Sequence, residues 1–256
     1  MAEIRETKKA LFEYCLRLGD NNLILGHRLS EWCGHGPVLE QDIALINVAL
    51  DLVGSATSLL EYAADVEGEG RSADELAYLR NEMQFRNAML VEQPNGDFAY
   101  TIARQFFYDV YSYYLNEALK NSKDATLSAI AEKSIKEITY HLRHSSEWMI
   151  RLGDGTEESK RRMQVAVDEL WIHTGDLFSM NETDTLLIKE GIAVDKSLIK
   201  VQWDKMVKEV MNRATLNIPA DTFMLTGSLE GKHTEHLGYL LAEMQYLPRA
   251  YPGAKW

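Results

Sequence analysis

Ala125-Thr-Leu-Ser-Ala-Ile-Ala-Glu-Lys-Ser134-Ile-Lys-Glu-Ile138-Thr-Tyr-His141-Leu-Arg-His-Ser145-Ser-Glu-Trp148-Met-Ile-Arg151 contains neither proline nor glycine. Within it Ser134, Ile138, His141, Ser145 and Trp148 step by three and four, so they share one face of a helix. Such a helix is about 40 Å long at 1.5 Å per residue. Helices of that length bury their apolar faces best by lying side by side, which makes a bundle the expected architecture.

The same rhythm extends outward from this stretch. Leu39, Ile43, Ile46, Leu50 and Val53 keep one face apolar, and Ile102, Phe106, Asp109 and Tyr113 follow the pattern. Turn chemistry falls at Gly34-His-Gly-Pro37, Gly68-Glu-Gly70, Gln93-Pro-Asn-Gly96 and Gly153-Asp-Gly155, and Thr156 then reads as a helix N-cap. These breaks predict helices near 4–32, 38–66, 73–91, 97–121, 125–151 and 157–179. After Asn181 the pattern loosens, with helices expected near 197–213 and 235–247, the latter ending at Pro248. No stretch alternates with period two, no linker composition stands out, and nothing repeats. The expectation is an all-α chain, one domain over 1–256, built as a helical bundle with additional C-terminal helices.

Composition narrows the class. The chain has 256 residues, 46% of them apolar, and a formal net charge of -12. A field of that sign repels phosphate backbones and anionic membranes, so neither nucleic acid nor a membrane is an expected partner. Two cysteines, Cys15 and Cys33, make no disulfide framework and suit a reducing compartment. The start Met1-Ala-Glu-Ile-Arg-Glu-Thr-Lys-Lys9 lacks a signal-like apolar run. No stretch is expected to reach the ~18–20 apolar residues that span a bilayer. The expected location is the cytoplasm.

A di-iron bundle takes a carboxylate from each of two helices and a Glu-x-x-His from each of two others, the spacing that aims both groups from one helical face. Of the seven histidines, only Glu230-Gly-Lys-His233 has the required glutamate three residues back; with His236 it would make a mononuclear set, against the plainer reading of a polar helix entry. Asp109 and His141 each interrupt an apolar stripe, and a buried aspartate requires a donor. Asn47, Asp51 and Ser55 form a second polar seam. This thread fits a metal site or its structural remnant about equally. Cys33 near His35 makes no convincing nucleophile. The cluster Phe106, Phe107, Tyr108, Tyr111, Tyr113 and Tyr114 covers more than one helical face, and its excess suggests a surface for a partner helix.

Several longer motifs carry a resemblance. Arg17-Leu-Gly-Asp-Asn21, Glu31-Trp-Cys-Gly-His-Gly-Pro37, Val91-Glu-Gln-Pro-Asn-Gly-Asp-Phe-Ala99, Thr101-Ile-Ala-Arg-Gln105, Lys136-Glu-x-x-Tyr-His-x-Arg143, His233-Thr-Glu-His-Leu-Gly238, Leu241-Ala-Glu-Met-Gln-Tyr-Leu247 and Pro252-Gly-x-x-Trp256 closely resemble the C subunits of bacterial phenylacetyl-CoA epoxidases. The resemblance spans essentially the whole chain. It implies a ferritin-like fold and a place in a multicomponent monooxygenase that makes a ring 1,2-epoxide in phenylacetate catabolism. It further implies a related A subunit holding the di-iron centre, and a reductase subunit using NADPH, FAD and an iron–sulfur cluster. The C subunit itself is implied to be structural, without catalytic, cofactor or metal residues.

Gap-free matching places the six ligand positions of the catalytic pattern on Asn22, Leu52, Ser55, Asp109, Ile138 and His141. Only Asp109 and His141 keep a ligand type, so no metal is expected in this chain. The expected partners are the A subunit and the other epoxidase subunits, with a homodimer of the isolated chain as a further possibility. An autonomous iron oxygenase and an unrelated helical binding protein are the rival readings. Arg80, Arg86 and Arg104 stand as candidate contacts for the CoA phosphates.

Overall fold

The computed structural model describes residues 2–220 and 223–254, with side chains described from Arg5 onward. Among these residues there are helices and loops and no strand. The described residues cluster into two compact units: one within Met1–Gln93, Met180–Glu190 and Gly227–Trp256, the other within Pro94–Ser179 and Gly191–Thr226.

The first unit is founded on α1 (Ala2–Ser30) and α2 (Leu39–Glu67), each 29 residues. α2 stops at Gly68, whose φ of 72° is the left-handed cap that glycine adopts without strain. The pair runs antiparallel and very close. A Cβ at Gly19 would lie 2.9 Å from Leu60, and one at Gly26 would lie 2.9 Å from Val53 Cγ2 and 3.2 Å from the Ala49 carbonyl oxygen. The matching face of α2 is rich in small side chains, with Ala44, Ala49, Ala56 and Ala63 buried.

That choice of face decides what the other side of α2 does. Leu39, Ile43 and Leu50, which the sequence pattern groups with Ile46 and Val53, are 72%, 52% and 65% exposed. The helix is apolar nearly all round, so periodicity alone did not distinguish the packed face from the open one. It is also long and apolar enough by composition to cross a membrane, with 44% of the relevant window buried. This amends the expectation that no stretch reaches that length.

The rest of the first unit is α3 (Ala73–Tyr78), α7 (Glu182–Glu190), α9 (Glu235–Met244) and α10 (Tyr246–Ala250). The long helix expected over 73–91 is not present. It starts as read, with Ser72 and Glu75 forming a reciprocal capping box. It ends after six residues because the buried Arg80 guanidinium takes the Leu76 and Gln84 carbonyls together with Asp20, diverting the chain. α7, missed in the loosened stretch, is joined to α1 by a buried ion pair of Arg17 with Asp184 at 2.7 Å.

The second unit holds α4 (Phe98–Leu119), α5 (Ala125–Gly153), α6 (Glu157–Thr174) and α8 (Lys196–Arg213). Each begins on a side chain that caps its first turn: Asp97, Asp124, Thr156 and Asp195. α4 is buried on nearly every side. Phe107 packs its ring against Trp171 and Trp203 at centroid distances of 5.7 and 5.8 Å, and Trp203 Nε1 donates to the Phe107 carbonyl at 2.9 Å. Phe106, Phe107, Tyr108 and Tyr111 are therefore core, with rings packed on α6, α8 and Phe178, whereas Tyr113 and Tyr114 are only half-buried. Sequence periodicity missed this because a helix enclosed on all sides has no polar face.

Gly26→Ala is expected to cost about 1–3 kcal/mol by forcing α1 from α2, read as a lowered Tm. An unchanged Tm would mean that the two helices are free to separate at that level.

Candidate functional site

The buried stripes of α4 and α5 set the geometry around Asp109, which is 1% exposed. Gln105, one turn earlier on α4, donates through Nε2 to Asp109 Oδ1 at 2.7 Å, and Ser145 Oγ on α5 donates to Oδ2 at 2.7 Å. Each carboxyl oxygen thus has a protein donor. Those donors are Gln105 and Ser145; His141 is also buried on α5. Ser145 already stood on the stripe of Ser134, Ile138 and His141; Gln105 lay four residues before Asp109 and was overlooked.

Burial pushes the Asp109 carboxyl up to about 8, against the smaller downward pull of the Ser145 and Gln105 hydrogen bonds. The group is consequently protonated over much of the neutral range. Ser145 Oγ suits both states, since a hydroxyl donates or accepts. Ile138, one turn before His141, is buried and apolar.

The other three matched positions lie in the first unit. Asn22 on α1 donates through Nδ2 to Ser55 Oγ on α2 at 3.0 Å, so two of the positions satisfy one another. Leu52, three residues before Ser55, is buried among apolar side chains of α2.

A denser polar group, which sequence reading did not find, gathers on Glu92. Its side chain is fully buried and accepts from Asn87 Nδ2 at 2.9 Å, from Thr234 Oγ1 at 2.7 Å and from the Thr234 backbone N–H. His233 completes the set: Nδ1 meets Glu92 Oε2 at 2.9 Å and Nε2 meets the Phe85 carbonyl at 3.1 Å. A carboxylate and a carbonyl are both acceptors, so this geometry favours the imidazolium, in which both ring nitrogens carry protons. Desolvation opposes that charge, but the Glu92 hydrogen bond and charge outweigh it and the His233 pKa is raised. The Glu230, His233, His236 set does not assemble, because Glu230 is exposed and paired with Lys232 while His233 turns inward to Glu92.

The three arginines are committed to partners within their own units. Arg80 is 4% exposed, holds Asp20 and lies 4.3 Å over the Phe85 ring. Arg86 pairs with Glu13 at 2.8 Å and bonds two carbonyls; Arg104 is fully buried and donates to Asn95 Oδ1 at 2.7 Å. None presents a free guanidinium to a CoA phosphate.

An all-α chain with a polar pair inside each long helix pair has the parts of a ferritin-like protein, with additional C-terminal helices. Residues 1–256 match the family model described as phenylacetic acid catabolic protein, and the chain belongs to that family. It is 52% identical over 246 residues to the C subunit of the 1,2-phenylacetyl-CoA epoxidase of Escherichia coli (strain K12), covering 96% of this chain and 99% of the relative.

Two titrations follow from this geometry. The raised Asp109 pKa means that the folded chain holds a proton which the unfolded chain releases, so stability falls as pH rises from about 4 to about 8. Asp109→Asn is expected to flatten that fall and to have the higher Tm at pH 8–9; a parallel pH profile of Tm would refute it. The raised His233 pKa acts in the same direction. Its stabilisation is complete below the unfolded value near 6.5 and fades as pH rises through the folded value. His233→Ala is expected to cost about 1–3 kcal/mol at pH 6 and less at pH 9, measured by urea denaturation.

Proposed function

We propose that the chain is a structural subunit of a phenylacetyl-CoA 1,2-epoxidase, pairing with and supporting a related subunit that holds the di-iron centre. The observation that carries this reading is the set of side chains at the six matched positions. Leu52 and Ile138 are buried hydrocarbons where carboxylates are needed, and Asn22 and Ser55 are engaged with each other. Asp109 and His141 alone are too few donors to offset the dehydration of two irons. The residues present do not fit the cofactor, so this chain contributes no redox step of its own.

In this reading the chemistry resides in companions: di-iron in the partner subunit, and NADPH, FAD and an iron–sulfur cluster in the reductase. The open stripe of α2 supports the pairing. Leu39, Ile43 and Leu50 present aliphatic side chains at helical spacing, and the exposed Gly54 lies one turn on with nothing within 4 Å of its Cβ direction. A long, flat apolar face of this kind suits the helix of a subunit of similar fold, in an obligate interface typically burying more than ~2,000 Å². The two cysteines, Cys15 buried and Cys33 exposed, are in no disulfide, which suits the cytoplasm.

The purified chain is expected to hold substoichiometric iron and to convert no phenylacetyl-CoA. Two irons per chain with epoxide formation would replace this reading with the autonomous oxygenase. Ile43→Glu with Leu50→Glu is expected to weaken co-purification with the di-iron subunit at least tenfold while leaving the circular dichroism unchanged; undiminished pairing would remove α2 from the interface.

A further inference from the structure

A second apolar surface of the first unit is distinct from the α2 stripe and is used by nothing described so far. α10 and the following residues 251–254 face α3 across a groove of about 960 Å³. Tyr78, Leu79, Leu247 and Tyr251 are among its walls, and Leu79, Leu247 and Tyr251 are exposed. A second groove of about 600 Å³, walled in part by Glu82, Leu241 and Tyr246, shares Arg249 with the first. Exposed Met83 and Tyr239 add apolar area on the same segments. Large aromatic and aliphatic side chains held open beside paired grooves mark an interaction site more often than bare surface.

The charge around the grooves is one-sided. Asp74, Glu75 and Glu243 line the larger groove and Glu82 the smaller. Arg249 is the cation among the lining residues, and its guanidinium is spent on the carbonyls of Tyr78, Leu79 and Arg80 at the end of α3. Asp74, Glu243 and Glu82 are thus left without an opposing charge from the groove walls, while Glu75 is engaged in the Ser72 capping box. His27 also lines the larger groove. This rim repels the phosphates of CoA and of nucleotides, and two adjoining grooves exceed what one small ligand fills.

We propose that these grooves dock a polypeptide segment of another protein, one with aromatic or aliphatic anchors flanked by lysine or arginine. The anchors enter between Leu79, Leu247 and Tyr251, and the flanking cations meet Asp74, Glu243 and Glu82. The face is separate from the α2 stripe, so the chain binds one companion through α2 and a second, basic one here. Only the identity of that companion as an epoxidase subunit rests on the proposed function.

The test has two arms. In the first, a fluorescein-labelled peptide of alternating leucine and tryptophan, flanked by lysines, is titrated against the full chain by anisotropy, beside the same peptide with glutamates for lysines. The lysine peptide is expected to bind at least tenfold more tightly. Asp74→Lys with Glu243→Lys is expected to abolish that preference, and the neutral pair Leu247→Ser with Tyr251→Ser to weaken binding at least fivefold. Equal binding by wild type and the serine pair would overturn the proposal, since it would reduce the effect to cation adsorption on an acidic protein. In the second arm, native mass spectrometry follows the chain co-expressed with the other epoxidase subunits. The serine pair is expected to lose a subunit other than the di-iron one. Loss of the di-iron subunit, or of none, would overturn the assignment of the groove. A wild-type chain that recruits no epoxidase subunit, yet discriminates the peptides as expected, would sink the proposed function and leave the groove standing.

Discussion

One buried carboxylate organises the first unit. Taking Glu92 out of water costs several kcal/mol unless donors replace its hydration, and here Asn87, Thr234 and His233 surround it. Those donors come from a loop and from the C-terminal segment, far apart in sequence. Arg28 reinforces the same joint from α1, donating to the Glu92 carbonyl and to the His236 carbonyl. The segment that carries α9 and α10 is consequently held by charge as well as by hydrophobic burial. Its neighbours follow the same rule: Arg80 with Asp20, and Arg17 with Asp184, are ion pairs whose members are almost wholly buried. A buried pair contributes little net stability but is costly to break on one side. Such pairs therefore fix a single arrangement where apolar side chains alone would accept several.

This explains how much could be read from the sequence. The long helices were legible, because a period of three to four residues, bounded by Gly and Pro turns and by Asp or Thr caps, determines an element locally. The stretch 73–91 was not, since Arg80 ends the helix only by finding Asp20 sixty positions away. α2 and α4 show the complementary failure. Both are apolar on more than one face, and period then stops indicating direction. Ala49 against Gly26, within a helix whose Ala44, Ala56 and Ala63 are also buried, was the available sign that small residues mark the close side of α2. Among the site residues, Asp109 and His141 were identified as buried polar groups, but the donors to Asp109 were not. Gln105 and Ser145 are one turn from positions already singled out, so adjacency along the helix was the missed signal.

The two open surfaces also differ in kind. The α2 stripe is aliphatic and belongs to a rigid helix, and it asks for a partner with a flat apolar face of its own. The α3–α10 grooves are concave, aromatic and acid-rimmed, and they ask for an extended segment with cations. On the proposed readings, a chain with a net charge of -12 gains from this division. Electrostatic attraction speeds the approach of a basic partner, whereas the apolar stripe is insensitive to charge and holds by buried area.

The side chains at the matched metal positions obey a simple solvation argument. A carboxylate beside a cation remains ionised in a core; without the cation, burial drives a proton onto it, as the Asp109 value of about 8 expresses. One protonated carboxyl with Gln105 and Ser145 as neighbours is a neutral, hydrogen-bonded group and is tolerable. Several carboxyls in the same core would each need a proton and a donor, and each would make stability fall further as pH rises. Hydrocarbon at Leu52 and Ile138, and a mutually satisfied amide and hydroxyl at Asn22 and Ser55, avoid that burden. On the proposed reading, then, the core of this subunit has exchanged a cation for neutrality. At the matched positions it keeps one carboxyl, Asp109, whose proton now does what the metal charge would have done.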